Sequence, residues 1–429
     1  MESTSVSLPV VFATKTQYPL PTQKFMIPAT WKRYQLSQLV NKALALARVV
    51  PFDFLVRGEL LRASLGEWAA ERGVGEEETL EIEYIESVMP PQRMASLPHE
   101  DWVSAISSTV PGHFLTASYD GNIRAFDYSQ KLLLSTPAHG APITSLCPVS
   151  GVGVPASDSY LIATASHDLT ARLTELTFPT PPNSAMVSRP IASLHLHTAP
   201  LASIATSPQG KHLITASWDT LLGLWDTKLP DADEVPLESR SSKRRKVAGE
   251  GVRRKGPKAV LKSHTARVSA AVFDGEDSVV SCGFDSTVRM WDVESGVCTH
   301  TMTASEKPFL ALALVSPSTA LAASSDRTTT LYDLRAPTTI TTPSASVTFT
   351  HPATPAALAF SRAPGSQQFV SGAYDGVVRL WDLRSAGHEI VKMQVKDGGK
   401  VLGVDWVGSV VGIAGEGGVE VWRVGEDSG

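Results

Sequence analysis

A segment that recurs seven times limits this chain to a very small set of folds. The clearest copies are FLTASYDGNIRAFD at 114, HLITASWDTLLGLWD at 212, SVVSCGFDSTVRMWD at 278, TALAASSDRTTTLYD at 319 and QFVSGAYDGVVRLWD at 368. The turn acids of all seven copies are Asp120, Asp168, Asp219, Asp285, Asp326, Asp375 and Glu416. Six positions after these acids stand Phe126, Thr174, Trp225, Trp291, Tyr332, Trp381 and Trp422. Each copy therefore predicts the same unit, a short strand, a tight turn with an acid, and a second strand.

These units resemble WD40 repeats, the family in which each repeat supplies a four-stranded blade of a β-propeller. The resemblance covers about residues 92 to 424 and implies a mainly β, seven-bladed propeller. After Trp422 only RVGEDSG remains, which is too short and too acidic for a fourth strand. We therefore expect the last blade to take its outer strand from QRMASL at 92–97, because ring closure removes open sheet edges. Deletion of residues 90–98 should accordingly destabilise the propeller strongly.

The WD40 resemblance also implies a buried hydrogen-bonded set of a His, a Ser or Thr, the turn Asp and the Trp. The set is complete as His197, Ser217, Asp219 and Trp225 in the third blade. Partial sets are His99, Ser118, Asp120 and Phe126 in blade one, and His139, Ser166 and Asp168 in blade two. Because the pattern recurs in blade after blade, it indicates a structural role and not a catalytic or metal site.

One interval between turn acids is longer than the others. The spacings are 48, 51, 66, 41, 49 and 41 residues, so the extra residues, about 228–257, predict a polar loop inserted in blade three. This loop carries two basic clusters, composed of Lys243, Arg244, Arg245, Lys246, Arg253, Arg254 and Lys255. Their spacing resembles a bipartite nuclear-import signal. A contact to ribosomal RNA phosphates is a second function compatible with import, and a merely solvated loop is the competing interpretation.

The first 88 residues lack the repeat and predict a separate small domain. VSLPVVFATK and KFMIPA indicate strands, and YQLSQLVNKALALA has the apolar period of a helix. FDFLVRGELL then indicates two strands around a turn at Gly58, and LGEWAAERG a short helix that ends at Gly73. TLEIEYIE alternates as a half-buried strand does. This order of elements resembles the ubiquitin-like fold, so the chain is expected to join a small α+β domain, 1–88, to a propeller, 92–424.

Three segments of the chain narrow the resemblance further. PFDFLVRGELLRASLGEWAAERG and TLEIEYIE resemble the Notchless-like N-terminal domain, and HEDWVSAI is similar to the junction in the WD-repeat subunit of the PeBoW ribosome-biogenesis complex. This family implies a non-enzymatic assembly factor of the large (60S) ribosomal subunit, in the nucleus, nucleolus and nucleoplasm. It also implies that the propeller docks on the propeller of the block-of-proliferation subunit, which in turn holds a pescadillo-type subunit within the pre-60S particle.

The same resemblance gives a role to the acidic run GEEET before the last strand of the small domain. In this family the ubiquitin-like domain is recognised by a metal-dependent adhesion site on midasin, a giant AAA ATPase. That site holds Mg²⁺ through its own oxygens and leaves one position for a partner carboxylate, a hard oxygen ligand that Mg²⁺ accepts. Register against TLEIEY places the ligand at Glu77, with Glu76 and Glu78 as alternatives. The chain is expected to need no cofactor of its own, and a solvated acidic turn is the competing interpretation.

Composition excludes several other classes of protein. The net charge of −5 argues against nucleic-acid binding over the whole surface. Three distant cysteines fit a reducing compartment, and no signal peptide or apolar run long enough for a membrane span is apparent. We therefore expect a soluble, intracellular protein with no membrane partner.

Two other functions compete with assembly. WDLR, Trp381 to Arg384, matches the short motif by which some propellers bind the adaptor of a cullin-type ubiquitin ligase, which would make the chain a substrate receptor. An enzyme with a small-molecule substrate is less favoured, because the chain has no phosphate-binding glycine motif and no Gly-x-Ser-x-Gly turn.

Overall fold

The computed structural model describes residues 6–14, 16, 18–46, 49–75, 77–87, 90–149, 159–178, 186–228, 232–235, 252–303, 306–335, 345–363, 365–385, 389–396 and 398–425. The chain divides into two compact units, one formed mainly by the residues up to Pro90 and the other mainly by those from Pro91 onward. Within these described ranges, no helix has the length and hydropathy that crossing a bilayer requires.

The N-terminal unit is a mixed five-stranded sheet with two helices. Its elements are β1 (Ser7–Ala13), β2 (Lys24–Pro28), α1 (Arg33–Leu44), β3 (Phe52–Val56), β4 (Glu59–Leu60), α2 (Leu65–Arg72) and β5 (Leu80–Glu86). The strand order is β2-β1-β5-β3-β4, with β1 and β5 parallel at the centre. Alternation in β5 buries Leu80, Ile82 and Tyr84 in one core with Leu36 and Val40 of α1. The predicted order of strands and helices and the small α+β fold are therefore confirmed.

The second unit consists of short, mostly antiparallel strands. In chain order they are β6 (Gln92–Leu97), β7 (Val103–Ser107), β8 (His113–Ser118), β9 (Asn122–Asp127), β10 (Leu132–Pro137), β11 (Ile143–Val149), β12 (Ser159–Ser166), β13 (Thr170–Thr177), β14 (Val187–His195), β15 (Leu201–Thr206), β16 (His212–Ser217), β17 (Leu221–Asp226), β18 (Arg253–Lys255), β19 (Ala259–Lys262), β20 (Val268–Phe273), β21 (Ser278–Gly283), β22 (Thr287–Asp292), β23 (Cys298–Thr303), β24 (Phe309–Ser316), β25 (Thr319–Ser324), β26 (Thr328–Asp333), β27 (Ala345–Thr350), β28 (Pro355–Phe360), β29 (Gln368–Ala373), β30 (Val377–Asp382), β31 (Val391–Gln394), β32 (Val401–Val407), β33 (Val410–Gly415) and β34 (Gly418–Arg423).

These strands form seven sheets in the part of the chain that the structure describes. Blade one is β7–β10, blade two β11–β14 with β18, blade three β15–β17 with β19, blade four β20–β23, blade five β24–β27, blade six β28–β31 and blade seven β32–β34 with β6. The first strands of the sheets are neighbours in the order β7, β11, β15, β20, β24, β28, β32 and again β7. The seven blades therefore close into a ring, which is the propeller expected from the repeats.

Ring closure depends on the strand that precedes blade one in sequence. Strand β6 pairs antiparallel with β34, with Leu97 opposite Val419 and Gln92 opposite Arg423. The buried Glu420 carboxylate accepts hydrogen bonds from Lys396 N–H and Trp422 Nε1–H, each at 3.0 Å, and it lies 2.8 Å from the guanidinium of Arg93. The prediction that QRMASL completes the last blade is confirmed.

The insertion in blade three, between β17 and β19, differs from the prediction of a polar loop. Residues Arg253–Lys255 form β18, which pairs in parallel with β14 at the outer edge of blade two, with Ala192 opposite Arg253. The acidic part of the insertion holds this strand, because Arg254 N–H donates to Asp233 at 2.8 Å and Glu234 N–H donates to Arg254 O at 2.8 Å. The second basic cluster is therefore an added strand and not part of a loop.

Candidate functional site

The acidic run of the N-terminal unit follows helix α2, which is capped at both ends. At the start of α2, the Ser64 hydroxyl accepts a hydrogen bond from Glu67 N–H at 3.3 Å, and the Glu67 carboxylate accepts one from Ser64 N–H at 2.9 Å. At its end Gly73 has φ of 65°, the left-handed conformation that glycine adopts without a side-chain penalty. The helix therefore stops sharply and turns the chain toward β5.

Glu77 lies in a tight turn between α2 and β5. Glu78 N–H donates to Gly75 O at 3.1 Å, which closes a turn over residues 75–78. The side chain of Glu77 is exposed, and its carboxylate makes no ion pair or hydrogen bond with any other residue that the structure describes. Glu76 lies outside the described residues. Glu77 is thus an accessible carboxylate on a short turn.

Glu78 differs from Glu77 because its carboxylate is ion-paired with Arg57. Arg57 and Gly58 have φ of 52° and 78° and form the two-residue turn between β3 and β4. The pair joins this turn to the acidic turn, and both side chains are about half exposed. The structure therefore separates two glutamates that the sequence treats as near equivalents.

The acidic turn is not a metal site by itself. Among the described residues, no group of three or more His, Cys, Asp or Glu side chains could hold a metal ion. A single exposed carboxylate can fill only one position around a cation whose other ligands come from elsewhere. Within the described part of the turn, Glu77 is therefore at most a single oxygen ligand.

The hydrogen-bonded set of blade three connects its four members in one chain, with one correction to the prediction. His197 Nδ1 lies 3.0 Å from Asp219 Oδ2, and His197 Nε2 lies 2.8 Å from Thr215 Oγ1. Trp225 Nε1–H donates to the same Thr215 hydroxyl at 3.0 Å. The Ser/Thr member is therefore Thr215 and not Ser217, whose hydroxyl instead contacts the Pro200 carbonyl at 3.0 Å.

Two further arrangements of this kind were missed in the sequence. Blade four has a complete set of His264, Ser281, Asp285 and Trp291, in which the Ser281 hydroxyl lies 2.7 Å from His264 Nε2 and accepts from Trp291 Nε1–H at 2.8 Å.

In blades one and six the turn acid instead pairs with an arginine four residues later. These pairs are Asp120 with Arg124 at 2.5 Å and Asp375 with Arg379 at 2.6 Å. The repeated D-x-x-x-R spacing is the signal that could have revealed them.

The buried histidine of blade two is held in its neutral form. Burial lowers the pKa of His139, and the hydrogen bond to Asp168 at 2.8 Å only partly opposes this effect. Burial alone would raise the pKa of Asp168, but hydrogen bonds from His139 and Thr170 bring it below its ordinary value. An ionised aspartate beside a neutral histidine is a structural arrangement, which agrees with the structural role that the repetition indicates.

The predicted import residues lie in different environments. Lys243, Arg244, Arg245 and Lys246 lie outside the described residues. Arg253 is exposed and Arg254 half-buried, whereas Lys255 is buried and its ammonium group lies 2.8 Å from Asp226 Oδ1. Lys255 therefore holds β18 against the end of β17 and is not available on the surface.

The arginine of the WDLR motif is also bound within the chain, by a neighbouring aspartate. Arg384 Nη2 and Nε donate to the two oxygens of buried Asp382 at 2.7 and 2.8 Å, and the backbone N–H of Arg384 donates to the same carboxylate at 2.9 Å. A guanidinium fixed in this way is poorly suited to reach an adaptor protein.

Comparisons with known proteins agree with this two-part architecture. Residues 8–69 match the NLE (NUC135) domain, and residues 92–127, 188–226, 255–292 and 347–382 match the WD domain, G-beta repeat. The chain is 59% identical over 435 residues to "Ribosome biogenesis protein YTM1" of Laccaria bicolor, covering 98% of this chain and 96% of the relative. The chain belongs to the YTM1 family of ribosome biogenesis proteins.

Other members of the YTM1 family match over most of their length. The relative from Coprinopsis cinerea is 54% identical over 440 residues, covering 99% of this chain and 96% of the relative. The relative from Aspergillus fumigatus is 35% identical over 398 residues, covering 86% and 79% respectively. The resemblance to a WD-repeat ribosome-biogenesis family with a Notchless-like domain is thus confirmed by the YTM1 relatives.

Proposed function

We propose that this protein is a non-enzymatic assembly factor of the large (60S) ribosomal subunit. Its small domain is the handle through which the AAA ATPase midasin removes it from pre-60S particles, and its propeller attaches that handle to its complex. Membership of the YTM1 family supports the ribosomal role. The observation that supports this role of the small domain is Glu77, an exposed carboxylate without a partner among the described residues, on a turn between a helix and a strand.

In this proposal Glu77 completes the coordination of an Mg²⁺ that the adhesion site of midasin holds. The cation supplies a strong electrostatic link between two proteins, and this chain's contribution is the oxygen ligand and its placement. Gly73 ends α2 and the Gly75–Glu78 turn exposes Glu77, so the carboxylate needs no rearrangement of the fold to reach a partner.

The propeller supplies the second contact, to the propeller of the block-of-proliferation subunit, which carries a pescadillo-type subunit. The cullin alternative is disfavoured because Arg384 is already bound by Asp382. We further propose a location in the nucleus, nucleolus and nucleoplasm. Import would depend on Lys243–Lys246 with Arg253 and Arg254, and contact of this segment with ribosomal RNA is compatible with that role.

Binding of full-length protein to the purified adhesion domain of midasin tests the handle. Wild type should bind in Mg²⁺ and lose binding in EDTA. Glu77→Gln and the shortened Glu77→Asp should lose binding, whereas Glu81→Gln, an exposed carboxylate on β5, should bind as wild type does. All variants should retain the block-of-proliferation propeller. Binding by Glu77→Gln in EDTA at wild-type strength would refute the proposal.

A further inference from the structure

We infer that Arg57 and Glu78 form a positioning pair that keeps the Glu77 carboxylate free for a partner's cation. This inference rests on the proposed function, because it gives Glu78 a task in the same site. Glu78 is then neither the ligand nor a loose charge that attracts the partner. It occupies the arginine that would otherwise bind Glu77.

Arg57 is fixed near the acidic turn by the sheet. Strand β3 pairs with β4 through Val56 and Glu59, and with β5 through Val56 and Ile82. The turn that carries Arg57 therefore lies at the end of the sheet where β5 begins, a few residues after Glu77. Because the backbone position of Arg57 is set by this register, its long side chain lies at this end of the sheet, where it contacts Glu78.

Two carboxylates near this end of the sheet are each held by an arginine. Arg72, at the end of α2, binds both oxygens of Glu59 at 2.6 Å, and Arg57 binds Glu78. In the described part of the acidic turn, only Glu77 is left without a cation. A guanidinium binds carboxylates readily. If the Glu78 charge were lost, Arg57 would lie beside the neighbouring residue Glu77, whose carboxylate has no cation partner in the described part of the chain.

An Arg57–Glu77 pair would oppose binding in two ways. It would have to break before Glu77 could bind a metal ion, and its positive charge would approach a divalent cation. Since Arg57 is about half exposed and Glu77 is exposed, the penalty is moderate, roughly a two- to fivefold weaker affinity.

A double-mutant cycle in the full-length protein tests the pair, with the Mg²⁺-loaded adhesion domain of midasin as the probe. Glu78→Gln should weaken binding two- to fivefold, and Arg57→Gln should change it less than twofold. The double variant Arg57→Gln/Glu78→Gln should bind more tightly than Glu78→Gln alone, because the competing arginine is gone. Wild-type affinity of Glu78→Gln, or a double variant no tighter than Glu78→Gln, would overturn the inference.

A measurement without the partner separates this inference from the proposed function. In full-length protein with ¹⁵N-labelled arginine side chains, the NMR signals of the Arg57 guanidinium should respond to Glu77→Gln in the Glu78→Gln background but not in the wild-type background. If this pattern appears but wild type does not bind the adhesion domain, the pair stands and the proposed function fails. If binding requires Glu77 but the Arg57 signals do not respond to Glu77→Gln in the Glu78→Gln background, the pair alone fails.

Discussion

At the scale of single residues, the hydroxyl of Thr215 is the hydrogen-bond partner of two ring nitrogens, His197 Nε2 and Trp225 Nε1. If His197 Nδ1–H donates to Asp219, then His197 Nε2 accepts from Thr215 O–H, and Thr215 accepts from Trp225 Nε1–H. Thr215→Val preserves the shape but leaves both ring nitrogens unpaired in a fully buried place. We expect the free energy of unfolding to fall by about 2–4 kcal/mol, measured as a lower urea midpoint.

Thr215→Ser is the matched control, because it retains the hydroxyl and removes only a methyl group. It should lose clearly less stability than Thr215→Val. Equal losses in the two variants would show that packing, and not the hydrogen bonds, accounts for the role of Thr215.

The neutral histidines of blades one and two predict a second residue-scale effect, the loss of stability in mild acid. Burial lowers the pKa of both His99 and His139 below the ordinary value of 6.5. As the pH falls through 6.5, the unfolded chain gains protons that the folded chain does not, so stability that is full above 6.5 declines below it. The melting temperature should therefore fall from pH 7.5 to pH 5.5.

His139→Gln should melt lower at pH 7.5 but show a smaller decrease in melting temperature between pH 7.5 and 5.5.

In the wild-type protein, a second decrease in melting temperature should begin below pH 4. The lowered pKa of Asp168 gives stability that is present above the ordinary value of 3.8 and lost below it. A melting temperature that is constant from pH 7.5 to 5.5 would contradict the assignment of neutral histidines.

The repeats could be located from sequence, but the choice between neighbouring polar residues could not. Thr215 and Ser217 are two positions apart on β16, so both point to the same face of the sheet, and only the observed contacts show which one His197 meets. Glu77 and Glu78 present the same difficulty. The feature that separates them is Arg57, which lies 21 positions before Glu78 in the chain.

At the scale of elements, the strand that closes the ring depends on one buried carboxylate. Glu420 on β34 binds the indole of Trp422, the backbone of Lys396 and the guanidinium of Arg93 from β6. Glu420→Ala leaves two N–H groups without acceptors, so we expect a loss of about 2–4 kcal/mol in stability. Arg93→Ala should cost less, about 1 kcal/mol, because this side chain is one-third exposed.

Thermal unfolding, followed by the fluorescence of the propeller tryptophans, distinguishes the two variants. If Arg93→Ala lowers the melting temperature as much as Glu420→Ala does, the ion pair across the closure, and not the internal acceptors, holds β34 and β6 together.

Strands in the core were predictable because apolar residues alternate along them, whereas β18 was not. Arg253–Lys255 has no apolar residue and pairs in parallel with a strand of another blade, about 60 residues earlier in the chain. Its position depends on Asp233, Glu234 and Asp226, whose contacts only the folded chain assembles. The second basic cluster consequently forms an added strand that its sequence does not announce.

At the scale of the whole molecule, the buried position of Lys255 predicts which residues of the basic segment act in the cell. If nuclear import uses the basic segment, alanine at Lys243–Lys246, Arg253 and Arg254 should reduce the nuclear fraction of a fluorescent fusion larger than the diffusion limit of the pore. Lys255→Met should leave the nuclear fraction unchanged, because the ammonium group is buried against Asp226. It should instead lower stability by about 1–3 kcal/mol, since Asp226 loses its partner. Undiminished nuclear accumulation of the six-alanine protein would refute the import signal, and exclusion of Lys255→Met from nuclei at normal stability would show that β18 detaches during import.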